Sequence, residues 1–442
     1  MIEISALKEL AHPAINNSDN VAAIHSFKVV KATGKNKKST ASECIMAQYK
    51  KKGTYDYKLL NNHTRENMNT PKQSIIMPYH RNKEMLVYTT TLLESILPKD
   101  VEVIIVGNNN NSEELNVKLS DRFTYIKYDK SMLYSKTVNL GVELASGDII
   151  TLCDQDIYGY DDWYSPLIEK LLSSPKIGSV SSKLLNPIND RIIDFGIEYS
   201  KYRIVHPLRG LKKDHPLAMM DRKVTSSTSA TLTMWKDVYK QVNGMDLDMS
   251  YCCSDCDIGI KIGGLGLENW VLANSVAYHR GSSSFKNGKS SSFSHLRNDS
   301  TNMFWAKNHG IIRPTVNEMI TSFVRHLCQY KKLDPMYYFV NLSSLSEYEW
   351  YASCLKEAAG LEYCEIFSYP QNLPHYSNPI QIYDELPYTF MNVNLPIVYF
   401  VDYIPALQNN IIWQHMRNIE RDLVLDCHGS LVYLSEIISG MC

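Results

Sequence analysis

A chain of 442 residues exceeds one ordinary domain, and 44% hydrophobic with 21% charged residues is normal for a globular protein that buries a sizeable core. Its 46 Lys and Arg balance 47 Asp and Glu to a formal net charge of −1, so no broad cationic field for nucleic acid is implied, while 29 Tyr suit either carbohydrate contact or ordinary packing. Ten scattered Cys form no disulfide framework, and Cys252-Cys253-x-x-Cys256 has no second pair at zinc spacing, so a reducing cytoplasm is the simpler expectation.

Residues 1–72 show weak periodicity and are expected to form a helical or partly disordered extension. Met1-Ile2-Glu3-Ile4-Ser5 is not a secretory leader, and no apolar run reaches the roughly 20 residues that span a bilayer. A soluble or peripheral protein is expected, with the lysine-rich stretch from Lys28 to Lys58 either a solvated face or a contact to an anionic membrane.

From Gln73 the texture changes. Gln73-Ser74-Ile75-Ile76-Met77-Pro78-Tyr79-His80 reads as a short buried strand stopped by proline, and a helix follows from Met85 to Ile96. A second strand, Val101 to Val106, runs into the turn-forming cluster Gly107-Asn108-Asn109-Asn110-Asn111. Phe123 to Tyr128 is a third strand, Ser135 to Ala145 a helix, and Gly147 to Ile157 an apolar strand ending in Asp154-Gln155-Asp156. Strands alternating with helices predict a mostly parallel sheet with its ligands at the carboxyl ends of the strands, where Tyr79, Asn108 and Asp154 fall. Two carboxylates one residue apart at such an end can face one point, where a hard divalent cation meets a diphosphate; taken alone, the triplet reads more readily as a solvated turn after a strand.

Farther on, Ser254-Asp255-Cys256-Asp257 opens an amphipathic helix, a place where acidic residues favour the helix dipole whatever their chemistry. The apolar run Trp270 to Tyr278 closes with His279, and Arg280 to Arg297, rich in Ser, Gly and basic residues, reads as a loop. After Pro314 a helix from Val316 to Lys331 precedes buried strands at Tyr337 to Val340, Cys364 to Phe367, Pro396 to Val401 and Leu423 to Asp426, the pattern of a second α/β unit.

Residues 73 to 310 resemble the inverting glycosyltransferases of the GT-A fold, of the large family-two type that uses nucleotide-sugars. The likeness is carried by the Pro78 strand, Asn139-Leu140-Gly141, Asp154-Gln155-Asp156, and the run from Asn243-Gly244-Met245-Asp246 through Ser254-Asp255-Cys256-Asp257 to Ala277-Tyr278-His279. It implies a Rossmann-like mixed sheet, with Asp255 as catalytic base and Asp154, Asp156 and His279 holding Mn²⁺ or Mg²⁺; imidazole tilts the choice toward Mn²⁺. It also implies a nucleotide-sugar contacted by Pro78, Tyr79, His80, Asn108, Asn139, Asp154 and Gln155. Two departures stand out. Ser254 replaces the family's Glu, and Asn108 stands where many relatives place an Asp facing uracil; its amide oxygen can accept the same hydrogen bond, so UDP-sugars are favoured.

Under this resemblance Trp163 either stacks on an acceptor sugar or packs at a helix start, and Asp257 either faces the acceptor or orients its own helix. Arg280 and the basic loop after it either pair with the diphosphate or are plain surface. Thr225 to Thr231 either lines the donor pocket or is an ordinary loop and strand. The expected partners are a nucleotide-sugar and a glycan or lipid-linked acceptor in surface polysaccharide synthesis, at the inner face of the membrane if peripheral. A nucleotidyltransferase and a non-catalytic carbohydrate-binding scaffold are the alternatives. The expected divisions are an extension at 1–72, the GT-A domain at 73–313, and a C-terminal α/β domain at 314–442. Asp426-Cys427-His428-Gly429 at a strand end makes that last domain similar to half of a GT-B-type enzyme, with room for a further catalytic domain or partner.

Overall fold

In a computed structural model, the described residues are 2–3, 21–25, 45–49, 71–80, 82–108, 119–128, 133–159, 161–200, 203–249, 251–280, 291–330, 336–359, 362–368, 396–407 and 420–440. Most of the Lys28–Lys58 stretch, Asn109 to Asn111 and the loop Gly281 to Lys289 lie outside them. The chain divides into two compact units, one of residues 1–183 and 222–311, the other of residues 184–221 and 312–442. The second unit thus draws a segment from inside the 73–313 span.

The described stretches of residues 1–49 are strands, where a helical or partly disordered extension was expected. They are β1 (Ile2–Glu3) and the antiparallel pair β2 (Val21–His25) and β3 (Ile45–Tyr49), whose apolar and β-branched residues suit a pleated ladder. The first unit then follows the predicted alternation: β4 (Gln73–Tyr79), α1 (Lys83–Ile96), β5 (Glu102–Asn108), β6 (Phe123–Tyr128), α2 (Tyr134–Leu144) and β7 (Ile149–Leu152). It continues with β8 (Ile157–Tyr158), α3 (Ser165–Leu172) and β9 (Ile177–Leu185). In the sheet β6, β5, β4 and β7 run parallel, and β14 (Thr233–Trp235) joins β7 antiparallel, so the sheet is mixed.

Ile75, Ile76, Met77, Val103 and Ile105 are fully buried, as strands covered on both faces require. Gly141 lets α2 lie close on that sheet, since a Cβ there would run into the Ile76 side chain. Proline is tolerated inside a central strand for a topological reason. The ladder between β4 and β7 ends at Ile76↔Leu152, so Pro78 stands beyond the last rung, where the two strand tips part.

The remaining elements of this unit are β13 (Arg222–Val224), α4 (Lys236–Gln241), α5 (Ser254–Gly264), β15 (Glu268–His279) and α6 (Ser291–Asn308). Helix α6 begins inside the stretch expected to be loop. It is anchored by buried Ser300, Phe304 and Asn308, the Ser300 hydroxyl accepting from the Tyr251 N–H at 3.3 Å.

The second unit contains the short strands β10 (Ile192–Asp194), β11 (Glu198–Tyr199) and β12 (Ile204–Val205), then α7 (Val316–Tyr330), β16 (Met336–Asn341), α8 (Tyr348–Ala359) and β17 (Glu362–Ser368). It ends with β18 (Ile397–Val401), β19 (Leu423–Asp426), β20 (Leu431–Tyr433) and α9 (Leu434–Ile438). Strands β17, β16, β18 and β19 are parallel in that spatial order, and β20 closes the edge antiparallel. This is the expected second α/β region. Among the described residues no helix is long and apolar enough to cross a membrane.

Candidate active site

The site begins with a local turn. After β7 the chain bends through Asp154-Gln155-Asp156, and the Ile157 N–H donates to the Asp154 carbonyl at 3.1 Å. One strand pairing then decides the geometry. β8 pairs antiparallel with the far end of β15 in the register Ile157↔His279 and Tyr158↔Tyr278, so a histidine over a hundred positions downstream is carried to the acidic turn. The stacked rings of Tyr158 and Tyr278, 6.1 Å apart, reinforce the pairing.

His279 Nε2 lies 3.2 Å from Asp156 Oδ1 and 3.8 Å from Asp154 Oδ2. One ligand atom from each of the three residues lies within 4.8 Å of the others, and among the described residues this is the one His/Cys/Asp/Glu group so arranged. Two hard carboxylates and a borderline imidazole form a donor set that fits a divalent transition metal. The Asp156 side chain is 9% exposed, whereas Asp154 at 24% and His279 at 20% leave one side of the cluster reachable. Burial pushes the Asp154 carboxyl up to about 6; Asp156 adds to the shift and His279 opposes it.

Asp255 sits in the first turn of α5, after Cys253 in the left-handed region at φ 66°. Its Oδ1 accepts from the Cys256 N–H at 2.9 Å and its Oδ2 from the Ser229 N–H at 3.3 Å. Ser229 leads back to the cluster of Asp154, Asp156 and His279: its hydroxyl lies 2.9 Å from the Tyr134 hydroxyl, which is 2.8 Å from Asp154 Oδ1. An ionised carboxylate only accepts, so Tyr134 donates to Asp154 and Ser229 donates to Tyr134. Burial first, and Asp154 next, hold the Tyr134 phenol well above its usual range, so it stays protonated as that donor. Sequence reasoning missed Tyr134, which carries no spacing signal; Ser229 lay inside the hydroxyl-rich run Thr225 to Thr231, and that run was the available clue.

Several expected ligands turn elsewhere. The Gln155 side chain is clamped to the β4 terminus, its Oε1 accepting from the His80 N–H at 2.6 Å and its Nε2 donating to the His80 carbonyl at 3.4 Å. Gln155 and His80 therefore set the distance between the two loops. Pro78 stands at the same strand end, and the Tyr79 ring is buried edge-on to Tyr125. Asn108 ends β5, and its side chain lies outside the described residues. Asn139 holds the turn at Asn243-Gly244, where φ is 61° at both residues: it accepts from the Met245 N–H at 2.9 Å and donates to the Met245 carbonyl at 2.8 Å. With Tyr239 Oη on the same amide oxygen at 2.5 Å, Asn139 is a structural clamp rather than a nucleotide ligand.

Trp163 is 1% exposed and therefore core, not a stacking platform; its neighbour Asp162 caps α3 by accepting from the Tyr164 and Ser165 N–H groups. Asp257 is buried, paired with Lys261 at 2.6 Å, and accepts from Asn308 at 3.1 Å, so it orients α5 and does not face an acceptor. Ser254, where the resemblance places Glu, is buried and donates to the Met249 carbonyl at 2.5 Å, with the Ser135 hydroxyl 2.7 Å away. Arg280 is exposed beside the cluster, its N–H donating to the Asp156 carbonyl at 3.3 Å.

Residues 74–222 match the model of the family "Glycosyl transferase family 2". This region is a family-2 glycosyltransferase domain. Its fold is the mixed GT-A sheet, followed by a further α/β region. The chain is 26% identical over 230 residues to the O-antigen biosynthesis protein RfbC of Myxococcus xanthus, a match covering 49% of this chain and 18% of that protein. It is 25% identical over 232 residues to the uncharacterized protein y4gI of Sinorhizobium fredii, covering 49% and 25% respectively. The chain thus spans a quarter or less of the length of the curated relatives it matches. Among solved structures, a mannosyltransferase from Pyrobaculum calidifontis in complex with GDP-Man and Mn²⁺ aligns at 13% identity and a TM-score of 0.34, covering 59% of this chain and 81% of that one.

Proposed function

We propose that the chain is a metal-dependent, inverting glycosyltransferase that moves a sugar from a nucleotide-sugar, with UDP favoured, to a glycan or lipid-linked acceptor in surface polysaccharide synthesis. The observation that carries this reading is the convergence of Asp154, Asp156 and His279 at the carboxyl end of β7, with Asp255 held on the opposite side of Tyr134 and Ser229. Bound Mn²⁺ or Mg²⁺ would supply positive charge against the diphosphate leaving group.

The residues of the chain divide the remaining work. Asp156, His279 and the Asp154 oxygen that faces them would hold the ion, while Gln155 fixes their loop to β4. Asp255, half-exposed at a helix start, takes the proton from the acceptor hydroxyl as that oxygen attacks the anomeric carbon opposite the diphosphate. Direct displacement from the far face inverts the anomeric configuration. The cytoplasm, with peripheral contact to the membrane, is the proposed place of work, where nucleotide-sugars and a lipid-linked acceptor meet.

The test is sugar-nucleotide hydrolysis and transfer across a panel of UDP-, GDP- and dTDP-sugars, with Mn²⁺ or EDTA, for wild type and Asp156→Ala. The expected result is turnover of one donor that disappears with EDTA and falls at least about 100-fold in Asp156→Ala. A panel that neither turns over nor binds by calorimetry would sink the reading.

A further inference from the structure

Asp154 offers two oxygens, and they face different ways. Oδ1 is occupied by the Tyr134 hydroxyl at 2.8 Å, while Oδ2 points to His279 Nε2 at 3.8 Å, into the cluster with Asp156. Tyr134 opens α2, which Gly141 lets lie close on β4 and whose Ser135 hydroxyl donates to the Met249 carbonyl at 2.9 Å, so the hydroxyl is presented from a rigid element. From its other side the same hydroxyl accepts from Ser229, whose N–H holds Asp255 at 3.3 Å.

We propose that Tyr134 is a positioning residue that makes Asp154 a single-oxygen metal ligand and, through Ser229, ties the metal cluster to the base. The inference rests on the metal-dependent glycosyltransferase reading and deepens it. With Oδ1 hydrogen-bonded, only Oδ2 is presented to the ion, which leaves a coordination position for a diphosphate oxygen. Without the phenol, both oxygens are free to chelate and that position closes. Outer hydrogen bonds of this type typically change metal affinity or activity by about 10–100-fold when removed. The Ser229 contact gives Tyr134 a second anchor, so neither carboxylate can swing without disturbing the bond that connects them.

The experiment uses Mn²⁺ alone as the probe, on the full chain. Binding is followed by the loss of the free Mn²⁺ electron paramagnetic resonance signal, and inner-sphere water is counted by water-proton relaxivity. Tyr134→Phe keeps the ring, and thermal unfolding in EDTA checks its fold. The expected result is an Mn²⁺ Kd weaker by about tenfold, with lower relaxivity of the bound ion as Asp154 chelates through both oxygens. Ser229→Ala keeps the Tyr134 to Asp154 bond but removes its second anchor, and is expected to weaken Kd by less than Tyr134→Phe does. A Tyr134→Phe protein that binds Mn²⁺ as wild type does overturns the inference, and so does weakened binding with unchanged relaxivity. Wild type that binds no Mn²⁺ overturns the metal-dependent reading itself, a result distinct from either.

Discussion

Each unit places an aspartate at the carboxyl end of a central parallel strand, Asp154 just after β7 and Asp426 at the end of β19, and the two acids differ in what surrounds them. Asp426 is fully buried, and its own chain saturates it: Oδ1 accepts from the His428 and Ser430 N–H groups at 3.0 Å each, and Oδ2 from the Ile404 N–H at 3.5 Å. Asp154 keeps about a quarter of its side chain exposed and faces a second carboxylate and an imidazole. Burial raises both carboxyls, Asp154 to about 6 and Asp426 to about 7, the latter in spite of its backbone donors. A perturbed acid at a strand end is therefore not by itself a site. What separates the two is the kind of partner: side chains from distant segments meet at Asp154, whereas backbone N–H groups of its own turn and of Ile404 enclose Asp426.

Three experiments sharpen or break that contrast. The largest effect is expected at the base: Asp255→Asn should slow transfer by about 10²- to 10⁴-fold while Mn²⁺ affinity is unchanged, measured by initial rates beside an Mn²⁺ titration. A rate close to wild type's would remove Asp255 from the chemistry. Next, Asp426→Ala strands three buried N–H donors at roughly 1–3 kcal/mol each, so thermal unfolding of the second unit should move several degrees lower with Mn²⁺ affinity intact; a loss of metal binding instead would mean that the two acids are not functionally distinct.

The smallest effect is pH-dependent and differs in kind between the acids. Below about 6 Asp154 carries a proton that a cation must displace, so Mn²⁺ affinity should be level above that pH and fall by up to about tenfold per unit beneath it. For Asp426 the folded value, about 7, lies above the unfolded one, so its contribution to stability is complete at low pH and is lost as pH rises through about 7. Unfolding temperatures of the second unit measured from pH 5 to pH 8 should decline; a rise would show Asp426 ionised throughout.

Much of this was legible in the residues. Apolar runs bounded by turn residues placed β4 to β7 and the C-terminal strands within a few residues, with the helices between them, because a run of that kind marks a strand buried on both faces. That Asp154, Asp156 and His279 come together was legible through the order of their motifs. Trp163 and Asp257 were left open between two readings, and Asn139 and Gln155 were expected at the nucleotide, for one shared reason: a polar or aromatic side chain near a motif looks the same in sequence whether it turns to a ligand or to the core. Only the packing separates Gln155 clamped on His80 from Asp156 facing His279, two neighbours with opposite destinations.

Composition and pattern by themselves determined that the chain is a globular α/β protein with an Asp-x-Asp turn at the ligand-binding end of a parallel sheet. Those properties follow from local propensity and burial, which act over a few residues. The tertiary structure alone decided that β8 and β15 pair in the register that delivers His279. It also decided that Tyr134 and Ser229 bridge the two acids, and that residues 184–221 pack with the C-terminal unit. These are contacts between segments dozens to more than a hundred positions apart. Their geometry is fixed by ladder register and close packing, which no spacing along the chain encodes.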